Sequence, residues 1–205
     1  MGRVILSRRI PRSWIKPLPR KEEVLRLLRS CGSPGAKLAV SLAAHSGLKP
    51  GQVKRLVYQN LVEFSTMGNQ LSQVPSRIEL RNRVSWKKYY TFLSTVGCEQ
   101  LLVDLGAKSQ PVSPKEAVLS GKALAEAAQV LRKADVRWFE LRHFFRMSCN
   151  LAEMEFRALR PEMIQFMLGN TVKGGNFPIA GSFFDSKVVG MLRQGYSQVE
   201  KQSFR

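Results

Sequence analysis

Residues 36–45 read Ala-Lys-Leu-Ala-Val-Ser-Leu-Ala-Ala-His, apolar almost all the way round a helical wheel. A helix without a broad polar face cannot lie on a surface, so this stretch predicts a central helix that other elements must surround. The flanking segments can supply them. From Lys21 onward, Val24, Leu25, Leu27 and Leu28 form an apolar stripe that stops at Cys31-Gly32-Ser33-Pro34-Gly35, where proline and glycine break the period. On the other side, Ser46-Gly47-Leu48-Lys49-Pro50 makes a turn. Pro50 suits the first position of a third helix carrying Val53, Leu56 and Val57, with Lys49 at its N-terminal mouth.

The period changes in the middle of the chain. Ile78 and Leu80 alternate with Arg77, Glu79, Arg81 and Arg83, and Trp86, Lys88, Tyr90 and Phe92 alternate with Lys87, Tyr89, Thr91 and Leu93. Two antiparallel strands joined near residues 82–85 follow, with one strongly basic face. Ser94 can cap the next helix, whose stripe of Val96, Leu101, Leu102 and Leu105 ends at Gly106. After a polar loop around Pro111 and Pro114, helices are expected at about residues 115–133, 139–152, 161–168 and 186–202. The expected class is α+β, mainly helical, with a small antiparallel β-sheet inserted after the third helix.

Lysine and arginine outnumber the acids 33 to 15, a formal charge of +18. That much self-repulsion is tolerated most easily beside a polyanion, nucleic acid first and an anionic membrane surface second. No run reaches the ~18 apolar residues of a spanning helix, so no membrane partner is expected. Cys31, Cys98 and Cys149 are far apart, with only His45 and His143 to join them, so they read as reduced, buried thiols and no metal site is expected. Residues 1–20 carry Arg3, Arg8, Arg9, Arg12, Lys16 and Arg20 with no acid, and Pro11, Pro17 and Pro19 oppose regular structure. They read as a basic arm before a domain over 21–205. The arm suits a phosphate-tracking or minor-groove tail; a solvated leader or an organelle transit segment also fits.

Four blocks stand in order: Ser46-Gly47-Leu48-Lys49-Pro50, the Lys-rich aromatic run at residues 86–92, Leu141-Arg142-His143-Phe144-Phe145, and Phe166-Met167-Leu168-Gly169-Asn170. Their order and spacing resemble the catalytic half of the tyrosine recombinase family, which includes phage and archaeal integrases and Xer-type resolvases. In that family the blocks read S-G-L-R, a hairpin lysine, H-x-L-R-H-x-F and L-G-H, followed by a nucleophilic tyrosine. The resemblance implies a DNA breaking-rejoining fold over residues 21–205. It also implies catalytic positions at Arg142, Lys49, Lys87 or Lys88, Asn170 and, beside Arg142, His143. Alignment on the aromatic strand alone would put Val84 at the lysine position.

The departures bear on the chemistry. Tyrosine-mediated phosphodiester exchange needs cations on the non-bridging oxygens, an acid for the leaving oxygen and a hydroxyl aimed in line. Arg142 could grip a phosphate bidentately. Lys49 replaces an arginine, keeping the charge but not the fork. Phe139 and Asn170 stand where the family has histidines, and an amide cannot exchange a proton near neutral pH. About ten residues beyond Gly169, where the family has its nucleophile, the chain reads Asn176-Phe177-Pro178. Tyr196 is the one downstream tyrosine, but Val188, Val189, Leu192, Tyr196 and Val199 share a helical face, which points to core or partner contact.

The resemblance therefore implies a DNA-binding protein with impaired or lost strand exchange. The expected phosphate contacts are Arg77, Arg81, Arg83, Lys87, Lys88, Lys54, Arg55 and Lys173, with duplex DNA as partner and self-association on DNA through the C-terminal helix. No cofactor or small-molecule substrate is expected, and the location is cytoplasmic or nucleoid-associated. Two alternatives remain open: an active integrase or resolvase using Tyr196, and a structural RNA-binding or ribosome-associated basic protein.

Overall fold

The computed structural model describes residues 18–82, 87–106, 111–170 and 183–204. In chain order the elements are α1 (Lys21–Ser30), α2 (Pro34–Ala44), α3 (Pro50–Val53), β1 (Phe64–Ser65), β2 (Gln70–Leu71), β3 (Ser76–Arg81), β4 (Lys88–Leu93), α4 (Thr95–Gly106), α5 (Gly121–Lys133), α6 (Trp138–Phe156), α7 (Pro161–Met167) and α8 (Ser186–Ser203). Most of the expected arm, residues 1–17, lies outside the described residues.

The apolar stretch at 36–45 is the hub. From Leu38 to Ala44 every residue of α2 is buried, and α1, α4, α5 and α6 pack around it. Pro34 and Gly35, expected to interrupt the chain, instead begin this helix: Ser33 caps it by accepting from the Ala36 amide at 3.2 Å, and Pro34 takes the first position, where a missing N–H costs nothing. Glu126 of α5 secures the same corner, accepting from the Gly32 and Ser33 amides and the Ser33 hydroxyl at 2.6, 3.0 and 2.6 Å.

The third helix is shorter than expected. It ends after one turn because residues 56–59 hydrogen-bond to the segment at 114–118, with Val118 N–H on the Leu56 carbonyl at 2.9 Å and Val57 bridged to Ala117. That pairing also removes residues 115–120 from the expected fifth helix, which begins at Gly121 under a Ser120 cap. The hairpin pairs as expected, β3 antiparallel to β4 with Arg81 opposite Lys88 and Ile78 opposite Thr91. But β4 is buried on both faces from Tyr89 to Leu93 and Arg77 is paired with glutamates, so the expected basic face narrows, among the described residues, to Arg81 and Lys88 at the loop end. A second sheet, β1 paired with β2, has strands of two residues each, too short to show alternation. In α4 the buried face is Gly97, Cys98, Leu101 and Leu105, and Leu102, assigned to the stripe, is exposed. All three cysteines are free and buried.

Around α2 the core is aromatic. Tyr196 of α8 is fully buried and donates its hydroxyl to the His45 carbonyl at 2.8 Å. The His45 ring stacks on Phe204 at 4.1 Å, and its Nδ1 lies 3.1 Å from Ser94 Oγ, the hydroxyl that also accepts from the Gly97 amide and so caps α4. Burial lowers the His45 pKa from 6.5 to about 3. Between those values the unfolded chain binds a proton that the native state refuses, so stability falls as pH drops below about 6.5, at about 1.4 kcal/mol per pH unit. A His45→Gln variant loses this component. Chemical denaturation at pH 7 and pH 5 should show wild type losing roughly 2 kcal/mol more than the variant; equal losses would contradict a neutral buried imidazole.

Candidate nucleic-acid interface

Two tight turns face each other beside the hairpin, and each needs a glycine. Gly47 and Gly169 both have φ of +66°, a conformation side chains disfavour. A Cβ on Gly47 would drive into the Phe145 ring, and one on Gly169 would fall 2.5 Å from Tyr89 Cζ. Arg142 ties these turns together: Nη1 donates to the Gly47 carbonyl and Nη2 to the Leu168 carbonyl at 2.7 Å. Asn82, at the end of β3, donates its amide to the Gly169 carbonyl at 2.7 Å and fixes the second turn to the hairpin.

The space in front of the turns is a cleft of about 1090 Å³. Lys49, Gln52 and Arg55 line it from the α3 turn, Glu79, Arg81, Lys88 and Tyr89 from the hairpin, and Leu168, Gly169 and Asn170 from the turn after α7. Lys49, Arg55, Arg81 and Lys88 are exposed. Gln52 organises the rim. Its carbonyl accepts from the Lys49 amide at 2.8 Å and its amide donates to the Tyr89 hydroxyl. Burial raises the Tyr89 pKa, against the opposing effects of the Gln52 hydrogen bond and the Arg142 charge. Burial lowers the Arg142 pKa, the neighbouring Arg146 adding to the shift and Tyr89 opposing it.

The expected residues are therefore only partly assembled. Lys49, Arg55, Arg81, Lys88 and Asn170 share the cleft, where Asn170 donates its amide to Gln165 Oε1 at 2.7 Å. Lys87 and Lys54 are exposed but do not line it, and Arg83 and Lys173 lie outside the described residues. Arg142 sits behind the cleft with both terminal nitrogens on backbone carbonyls, a use different from the expected phosphate grip.

Three of the expected residues have other partners in the structure. The Arg77 guanidinium faces Glu79 at 3.3 Å and Glu63 at 3.8 Å and lies 5.6 Å from the Tyr90 ring. His143 does not line the cleft; its ring stands edge-on to Phe139 at 4.2 Å. The Tyr196 hydroxyl is buried on the His45 carbonyl, and burial raises its pKa well above the ordinary value. Sequence reading missed Gln52, Asn82 and Tyr89 as site residues. Gln52 had a signal, standing at the capping-box position three residues after Lys49.

The fold, mainly helical α+β with two small antiparallel sheets among the described residues, is recombinase-like. The crystal structure of XerA recombinase, a tyrosine recombinase, matches it with a TM-score of 0.54 at 14% identity, over 94% of this chain and 65% of that one. The chain thus spans about 65% of its structural neighbour's length. No family model matches the sequence, and no curated protein matches it.

Removing the Arg142 guanidinium leaves two carbonyls without their donor, and a hydrogen bond from a charged group contributes about 1.5–3 kcal/mol. Arg142→Ala should therefore lower unfolding free energy by roughly 2–4 kcal/mol in denaturant titration, and Arg142→Lys should recover little, because an ammonium cannot span both turns as a fork does. Wild-type stability in the alanine variant would refute the tie.

Proposed function

We propose that this chain is a DNA-binding protein of recombinase-like fold that contacts the duplex backbone through the cationic cleft and has lost or nearly lost strand exchange. The observation that carries this reading is the gathering of Lys49, Arg55, Arg81 and Lys88 from separate elements around one concavity. Arg81 and Lys88 stand directly opposite each other across the hairpin, a like-charge pairing that destabilises a sheet unless an anion lies over it. The formal charge of +18 points the same way.

Impaired chemistry follows from the donors at hand. Lys49 holds a phosphate oxygen as a point charge, without the planar fork of an arginine. Asn170 offers an amide that donates but moves no proton near neutral pH. His143 and Tyr196 point elsewhere, and Arg142 is engaged behind the cleft. Binding to phosphate needs only charge and hydrogen bonds, so it survives where proton transfer and in-line attack do not. Sequence preference is modest because phosphate contacts carry no base information.

Fluorescence anisotropy on a labelled duplex tests the reading. Affinity should fall roughly 10³–10⁵-fold between about 50 and 200 mM salt, the behaviour of about six to ten phosphate contacts. Arg81→Glu with Lys88→Glu should weaken binding at least about tenfold and flatten the salt dependence by a slope of about two. A nicked suicide duplex should yield no covalent protein–DNA adduct; an adduct would restore the enzyme reading, and tighter binding to structured RNA in competition would favour an RNA partner.

A further inference from the structure

Helix α6 buries Leu141, Phe144, Phe145, Cys149 and Ala152 on one side. The opposite side leaves large apolar groups in water: Phe139 is 60% exposed, Met147 45%, Leu151 44% and Met154 77%. At about 100° per residue, Phe139, His143, Met147, Asn150 and Met154 fall on one outward strip, with Leu151 along one flank and Arg146 and Glu153 along the other. None of these residues lines the cationic cleft. Scattered exposed hydrophobics need no explanation, but a strip running most of a helix's length marks a surface built to be covered.

The charges on the flank identify what covers it. When two copies of a helix pack antiparallel about a two-fold axis, each flank meets its own counterpart. An axis passing between Cys149 and Asn150 sets Arg146 of one copy against Glu153 of the other, and by symmetry both ion pairs form together. Asn150 then lies beside the axis near its twin, a polar position of the kind that specifies register, and Met147 seats between Leu151 and Met154 of the second copy. A parallel pairing would instead set the Arg146 and Glu153 flank of one copy against the Leu151 flank of the other and form neither ion pair. We propose that the outer face of α6 is a self-association surface that pairs antiparallel copies of this chain.

The charge of +18 on each copy opposes pairing in dilute buffer, and screening relieves it. Self-association through α6 therefore strengthens with salt, whereas duplex binding weakens, so the two activities separate experimentally.

Sedimentation equilibrium of the full chain without DNA, in low and in moderate salt, tests the surface. The expected result is a monomer–dimer equilibrium that shifts toward dimer as salt rises, abolished by Met147→Glu with Met154→Glu. Arg146→Glu and Glu153→Arg alone should each weaken the dimer about tenfold, since each creates two like-charge contacts, and the double reversal should restore it. Thermal melts by circular dichroism accompany each variant, and Met147→Ser with Met154→Ser, which adds no charge, serves where the glutamates unfold the chain. A protein that stays monomeric at every salt concentration, a dimer indifferent to the methionine substitutions, or a double reversal no stronger than the single changes would overturn the proposal.

Discussion

The guanidinium of Arg142 holds two backbone carbonyls that come from distant parts of the chain, those of Gly47 and Leu168. Each carbonyl belongs to a turn whose glycine lies in the left-handed region, and each glycine is pressed against an aromatic ring, Phe145 in one case and Tyr89 in the other. Burying a cation is costly, and here carbonyl dipoles offset the cost. The geometry of the cleft follows from this junction. Lys49 emerges two residues after the first turn and Asn170 one residue after the second, so their separation across the opening depends on how the two turns are tied. Tyr89 joins the same unit from the hairpin, through its contact with Gly169 and the hydrogen bond from Gln52.

Two groups of cations stand out among the described residues, and the distinction between them matters more than the total charge. Arg77 and Arg193 serve the fold. Arg193 reaches from α8 to Glu63 at 2.6 Å and to the Pro75 carbonyl at 3.1 Å, and Arg77 shares Glu63 and faces Glu79, so the hairpin and the C-terminal helix are joined by a partly buried ionic network. Breaking such a network would leave charges stranded at low exposure, which makes these residues poor candidates for release to a ligand. Lys49, Arg55, Arg81 and Lys88 are exposed around a concave wall, where field lines converge and an incoming phosphate has the most to gain.

Sequence reading recovered what periodicity encodes. The all-round apolar helix at 36–45 predicted the hub, the switch to alternation at residues 77–93 predicted the hairpin, and the shared face of Val188, Val189, Leu192, Tyr196 and Val199, expected to meet core or partner, is buried except at Val188. The misses share a cause. Pro34 and Gly35 carry breaker character, but a preceding serine cap turns a breaker into a start. Leu56 and Val57 fit a helical stripe as well as an extended one, and the decision came from residues 114–118, far along the chain. Among the cations, Arg77 and Arg81 look alike in the alternating pattern. Their fates diverge because Glu63, on β1's approach to the sheet, is folded against one and not the other. Long-range partners of this kind leave no local trace.

The position of Tyr196 also bears on what holds α8 in place. Its hydroxyl closes the hydrogen bonding of the His45 carbonyl at the end of the central helix, and its ring packs against Phe92 and Phe145 at centroid distances of 5.3 and 6.4 Å. Leu192, Val199 and Phe204 are buried with it, and His45 stacks on Phe204. Presenting that hydroxyl to a phosphate would mean withdrawing α8 from the core, and exposing side chains of this size costs about 1.5–3 kcal/mol each, a sum comparable to the whole stability of a domain. The helix is therefore an integral wall of the fold, tied down by its aromatic face within and by Arg193 on its flank. The cationic cleft, by contrast, rests on the backbone junction at Arg142 and on exposed charges that the core does not depend on, so the phosphate contact proposed above does not call on the part of the core that Tyr196 holds together.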